Sequence, residues 1–240
     1  EGIFLTVLGF GTGNLQDAKM EALADHGNGN YGYIDSMVEA RKVLVSEMGG
    51  TLLTVAKDVK IQVEFNPAVV RGYRLLGYEN RMLDAEDFAD DRKDAGEIGA
   101  GHSVTALYEV VPVGADTDTE IREPGELRYQ TRPPGEELTA EAGDDEIAFV
   151  KLRYKEPDGE VSKLLTVPVE NDPRDLDADT RFASAVAAFG MLLRDSPHKG
   201  DVTFDMVWEL ASPVADDGAH RHGFLHLVEV ARALDRSNPR

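Results

Sequence analysis

Val59-Lys60-Ile61-Gln62-Val63-Glu64-Phe65 alternates apolar and polar residues without a break. Side chains of a β-strand point to opposite faces in turn, so this run predicts an antiparallel strand with one apolar and one wet face. Moving outward, Arg71 to Asn80 reads as its partner, and Val104, Ala106, Tyr108 and Val110 repeat the alternation. Ile147 and Phe149 do so again, but the phase then slips to Val150, Leu152 and Tyr154, which predicts a bulge. Pro157-Asp158-Gly159-Glu160 is a hairpin turn into Val161 to Val169. Residues 51–170 are therefore expected to form an antiparallel β-sandwich.

Upstream the pattern differs. Residues 3 to 8 (Ile-Phe-Leu-Thr-Val-Leu) form an apolar run closed by Gly9, Gly11 and Gly13, as in a parallel strand covered on both faces. Gln16 to Asp25 has helical spacing, and His26-Gly27-Asn28-Gly29 predicts a left-handed cap. Tyr31 to Ile34 is a short strand, and Asp35 or Ser36 can cap a helix running to about Met48, before Gly49-Gly50. Downstream, three apolar stripes predict helices: Phe182, Ala185, Val186, Phe189 and Leu193; Phe204, Val207, Trp208 and Ala211; Phe224, Val228, Ala231 and Leu234. The expected fold class is α+β. It comprises an α/β remnant over 1–50 and a second region over 51–240, made of the sandwich and a helical segment over about 171 to 236.

Forty-five Asp and Glu against 25 Lys and Arg give the 240-residue chain a net charge of -20, which repels phosphate backbones and anionic lipid and disfavours nucleic-acid and membrane partners. The acidic excess is concentrated in residues 84–97, 113–146 and 170–179, between the apolar runs, as a solvated surface would place it. No cysteine is present, which removes disulfides, thiolate metal sites and cysteine nucleophiles and leaves the compartment open. No run of 18 apolar residues occurs, and the chain opens at Glu1 without an initiator methionine or leader, the expectation for a piece of a longer protein.

Four patterns raise specific chemistry. Gly9-Phe10-Gly11-Thr12-Gly13-Asn14, with Asp35 after the next strand, imitates a dinucleotide fingerprint, in which glycines admit a pyrophosphate and an acid holds the ribose. Asn14 stands at the third glycine position, so a plain glycine turn competes with an oxidoreductase reading. His222 and His226 lie one helical turn apart near His220, a spacing able to hold a metal, but no general-base glutamate or third ligand accompanies them, which favours exposed histidines. Asp175, Asp177 and Asp179 copy the start of a calcium loop. Thr180 and Val186 break it, so these carboxylates are expected to serve the next helix as caps. No Gly-x-Ser-x-Gly elbow and no phosphate loop is present, and paired carboxylates are too frequent to single out any pair. No catalytic, cofactor-binding or metal residue is assigned.

Longer words carry a resemblance. Leu8-Gly9-Phe10-Gly11-Thr12-Gly13-Asn14, Met20-Glu21-Ala22-Leu23-Ala24-Asp25 and Gly27-Asn28-Gly29-Asn30-Tyr31-Gly32-Tyr33-Ile34-Asp35 resemble the last part of a von Willebrand factor type A domain of the bacterial YfbK-like proteins. Ala56-Lys57-Asp58-Val59-Lys60-Ile61-Gln62-Val63-Glu64-Phe65-Asn66-Pro67, Gly77-Tyr78-Glu79-Asn80-Arg81, Asp94-Ala95-Gly96-Glu97-Ile98-Gly99-Ala100-Gly101-His102 and Thr105-Ala106-Leu107-Tyr108-Glu109 resemble the C-terminal region of the same group. The resemblance implies a non-enzymatic adhesion or assembly module of the cell envelope or periplasm, with a protein partner. It also implies a divalent metal such as Mg²⁺ in the intact type A domain. The family's Asp-x-Ser-x-Ser metal motif is absent from this chain, so no ligand is carried over and no cofactor is expected here. The strand Ile3 to Leu8 would lack neighbours, which predicts self-association through its edge or abnormal packing on the sandwich.

Overall fold

The computed structural model describes residues 4–77, 88–91, 95–116, 140–143 and 145–237. Helices combine with antiparallel sheet, the α+β class that the patterns predict. The chain divides into two compact units. One holds the described residues of 1–73, 79–104 and 110–171, the other those of 74–78, 105–109 and 172–240.

The first unit opens with β1 (Val7–Phe10), α1 (Asp17–His26) and β2 (Tyr31–Ile34), and β1 and β2 pair in parallel from Val7 opposite Tyr31 to Phe10 opposite Ile34. The helix ends as its sequence predicts. Asn28 takes the left-handed conformation at φ 48°, while the Gly29 and Asn28 amides close back onto the Ala24 and Asp25 carbonyls at 2.9 and 3.2 Å. Ile3, assigned to the first strand from sequence, lies outside the described residues.

The next helix starts as expected and departs from expectation at its end. Ser36, not Asp35, caps it, its hydroxyl accepting the Glu39 amide at 3.2 Å. The α2 segment (Met37–Arg41) passes through a π-helical turn at Lys42–Ser46 into α3 (Met48–Leu52), so Gly49 and Gly50 lie inside the helix instead of ending it. Gly50 lies at a close crossing. Gly50 lies so near β5 (Gly96–Gly99) that a Cβ on Gly99 would stand 1.7 Å from the Gly50 carbonyl oxygen, and one on Gly50 would meet the His102 ring at 2.3 Å.

The main sheet has the order β5-β3-β7-β8, with β3 at Thr54–Phe65, β7 at Glu146–Lys155 and β8 at Lys163–Glu170. Thus β3 pairs with β5 and β7, antiparallel in both cases. Its expected partner, now β4 (Val70–Leu76), pairs instead with β6 (Leu107–Pro112) in a separate two-stranded sheet. Val104 and Ala106 precede that strand, and Tyr78 to Asn80 lie outside the described residues. The hairpin turn is as expected, closed by the Gly159 amide on the Glu156 carbonyl at 2.8 Å.

Register assigns the faces. Ile61, Val63 and Phe65 lie opposite Leu152, Val150 and Ala148, which lie opposite Leu165, Val167 and Val169, giving one apolar face. Lys60, Gln62 and Glu64 share the other with Arg153, Lys151 and Phe149. The phase slip at Phe149 and Val150 is therefore no bulge. Phe149 occupies the polar face, with the Lys151 ammonium 5.7 Å from its ring centre. The register shifts fall between Glu146 and Ala148, and between Lys57 and Lys60, where Asp58 has φ 52°. Burial departs from the simple expectation, because Lys60 is 3% exposed while Ile61, Leu165 and Val167 on the apolar face are exposed. Residues 90 and 91 lie against the polar face and accept its lysines, which explains the burial of Lys60.

In the second unit α4 (Ala178–Leu193), α5 (Phe204–Ala211) and α6 (Ala219–Ser237) enclose a core of Ala185, Ala188, Val207, Ala211 and Val228. Phe224 meets Phe182 and Phe189 edge to face at 5.2 and 5.3 Å, a favoured aromatic geometry. Three residues predicted for the core stripes, Val186, Leu193 and Leu234, are exposed. Ala188 and Met191 on α4 are buried. Among the described residues no helix is long and apolar enough to cross a membrane.

Candidate functional site

The glycine loop lies at the carboxyl ends of β1 and β2, the usual ligand edge of a parallel α/β sheet. Gly9 sits within β1, hemmed by Met20, Leu15 and Tyr33, where a Cβ would meet side-chain atoms at 3.1 to 3.3 Å. Gly11 and Gly13 have φ of 82° and 114°, a region that favours glycine. The Tyr33 hydroxyl donates to the Gly11 carbonyl at 2.7 Å and the Tyr31 hydroxyl donates to Asp17. That bond to the carboxylate, reinforced by desolvation and neighbouring negative charge, pushes the Tyr31 phenol up to about 12.

These contacts describe a braced turn. The helix begins at Asp17, three residues beyond Asn14, and its first turn presents a carboxylate where a pyrophosphate would need amides and positive potential. Asp35 is exposed beside the end of β2. The arrangement lends no support to a dinucleotide cradle.

A second cluster, missed from sequence, occupies the polar face of the main sheet. The Lys155 ammonium donates to Asp58 and to the Asp91 carbonyl, both at 2.7 Å, and Lys60 donates to the Asp90 carbonyl. Ser162 bridges Arg153 and Asp91, accepting from the guanidinium Nε at 2.7 Å and donating to the carboxylate at 2.6 Å. The Ser162 bond, aided by Arg153 and Lys155, holds Asp91 below its ordinary pKa, while Asp58 raises that of Lys155. These bonds anchor the loop at residues 90 and 91 to the sheet. The alternation pattern assigned Lys60 to solvent, and a loop contact of this kind has no local sequence signal.

The remaining candidates act as parts of the scaffold. Asp177 caps α4 by accepting the Thr180 amide at 2.7 Å, a bond that lowers its pKa, and Asp179 pairs with Arg221. The capping role predicted for these carboxylates is observed at Asp177. His222 and His226 are exposed on α6, and the His226 ring stands 4.0 Å from Glu229. Asp205, at the start of α5, is held below its usual range by Arg232 first and then Arg236. Among the described residues no group of three or more His, Cys, Asp and Glu side chains is placed to hold a metal ion.

Together these features define an α+β protein with a parallel strand pair, an antiparallel sheet latched by ion pairs, and a helical segment. The chain belongs to the family described as "Uncharacterized protein YfbK, C-terminal", which matches residues 50–234. It is also 40% identical over 232 residues to "Uncharacterized protein YfbK" of Escherichia coli (strain K12), a match covering 96% of this chain and 39% of the relative. The chain thus spans about 39% of the length of that curated relative. No solved structure matches it.

Proposed function

We propose that this chain is the C-terminal part of a von Willebrand factor type A protein of the bacterial cell envelope, acting without catalysis in adhesion or assembly. The observation that carries the reading is the β1-α1-β2 unit. Parallel strands belong to sheets covered on both faces, and a two-stranded pair is marginal alone. Here Phe4, Leu5, Phe10 and Leu23 are exposed around the pair, and so are Met37, Val38 and Val45 on the following helix. Such a surface supports a unit that completes a larger α/β sheet, whose other strands would carry a divalent metal site and the contact to a protein partner. The region after residue 50 would then brace that domain. Alone, the uncovered β1 edge would either pair with a second copy or rest abnormally on the strands that follow residue 50.

The experiment is a pull-down with the full-length protein, run with Mg²⁺ and with chelator. Metal-dependent retention of a partner is expected, and retention indifferent to chelator would refute the metal-dependent reading. In the isolated chain, calorimetry with Mg²⁺ should show no stoichiometric site. Thermal shift with NAD or NADP should likewise show no effect, and stabilisation by either cofactor would overturn the non-enzymatic assignment.

A further inference from the structure

The outer face of α6 carries an apolar row that the core does not use. Gly223, Leu227, Val230 and Leu234 follow one another at spacings of four, three and four residues, and at about 100° per residue they fall within about 60° of arc. Leu227, Val230 and Leu234 are 57%, 45% and 64% exposed. Gly223 is the unexpected member. Glycine weakens a helix interior, yet a Cβ at this position would find no atom within 4 Å, so the fold of the chain itself does not require it.

We infer that α6 pairs antiparallel with α6 of a second copy through this row. The spacing is a palindrome about the point between Val228 and Glu229. A two-fold axis there sets Leu227 against Val230 of the other copy, and Leu234 over Gly223, twice each. That is the self-complementarity an isologous contact requires, and it gives the missing side chain a purpose: a leucine fills the space above it. Charge selects the same face. In a chain of net charge -20, most surfaces repel a second copy, but the arc around this row holds Ala219, His220, His226 and Ala231 and no carboxylate. The seam is short, so the dimer forms weakly, in the micromolar range or above. The contact is separate from the β1 edge and does not rest on the function proposed above.

The test is sedimentation velocity of the whole chain up to about 200 µM, a range suited to a short interface. Wild type should show a concentration-dependent dimer. Gly223→Leu should abolish it while retaining helical content and melting temperature, because it fills open space in the monomer. Leu227→Glu should abolish it as well. The absence of native cysteine permits a geometric check. In the double variant G223C/L234C the two thiols of one helix are about 16 Å apart at 1.5 Å per residue, so oxidation can join only different copies. A covalent dimer is expected from the double variant, and none from a Leu164→Cys control on β8. A strictly monomeric wild type, or a dimer indifferent to Gly223→Leu and Leu227→Glu, would overturn the proposal. Association that survives both through the β1 edge falls in that second class.

Discussion

The crossing of α3 and β5 gives a sharp test of the fold, because its two glycines should respond oppositely to the same methyl group. At Gly99 an added Cβ would stand 1.7 Å from the Gly50 carbonyl oxygen and 2.4 Å from its carbonyl carbon. Both are backbone atoms of a helix, so relief requires moving α3 away from β5. Overpacking that shifts backbone costs about 1–3 kcal/mol or more, and in a chain of this size each kcal/mol lowers the melting temperature by roughly 2–4 °C. Gly99→Ala should therefore lower it by roughly 2–12 °C. At Gly50 the obstacle is the imidazole of His102, an exposed side chain that can rotate away. Replacing glycine by alanine inside a helix also gains about 0.5–1 kcal/mol. Gly50→Ala should thus change stability by less than about 1 kcal/mol, and in a His102→Ala background it should stabilise. Thermal unfolding followed by circular dichroism reads all four proteins. A harmless Gly99→Ala, or a Gly50→Ala as damaging as Gly99→Ala, would refute the close crossing.

Other substitutions test the helical unit and the glycine turn. Thr203→Ala removes the hydroxyl that accepts the Met206 amide at 3.2 Å and should cost about 1 kcal/mol by thermal unfolding, as loss of an N-cap does. Asp205 has a depressed folded pKa, so its contribution is present above the ordinary carboxylate range and lost as pH falls through the folded value. Melting curves of Asp205→Asn should accordingly lie below wild type near pH 7 and converge with it in acid. Spectrophotometric titration should find a phenol ionising near pH 12, absent in Tyr31→Phe. His222→Ala with His226→Ala should leave stability within roughly 0.5 kcal/mol per site, whereas a structural metal site would cost several.

Much of the fold was legible because local pattern and final environment agree over most elements. Val59 to Phe65 alternates, and its register does separate Ile61, Val63 and Phe65 from Lys60, Gln62 and Glu64. The stop at Asn28 and the cap at Asp177 follow from backbone needs that nearby residues meet by themselves. What escaped depends on distant chain. Nothing local announces that Val70 to Leu76 pairs with β6 instead of β3, or that residues 90 and 91 cover Lys60. Gly49-Gly50 was read as a helix stop because glycine usually ends helices. The need for glycine at Gly99 comes from the Gly50 backbone, 49 positions back along the chain. The resemblance to YfbK-like proteins was legible for a different reason, since long words are specific where single motifs such as Gly9, Gly11 and Gly13 are shared by unrelated turns.

The distribution of charge across the main sheet links these observations to function. Burying a lysine is costly unless its hydrogen bonds are replaced, and Lys155 meets that condition with Asp58 and a main-chain carbonyl while Lys60 uses another carbonyl. The polar face is therefore closed by a short piece of loop whose contacts are directional, and removing one partner would strand an ammonium. Dispersive apolar contact could not fix the loop in this way, because it specifies proximity without orientation. Asp91 takes part twice, its carbonyl accepting from Lys155 and its carboxylate from Ser162, so one residue ties the loop to two points. Two groups of this cluster shift in the direction that stabilises their charged forms, Asp91 being lowered and Lys155 raised. Both shifts favour the ionised pair arrangement that fixes residues 90 and 91 to the sheet.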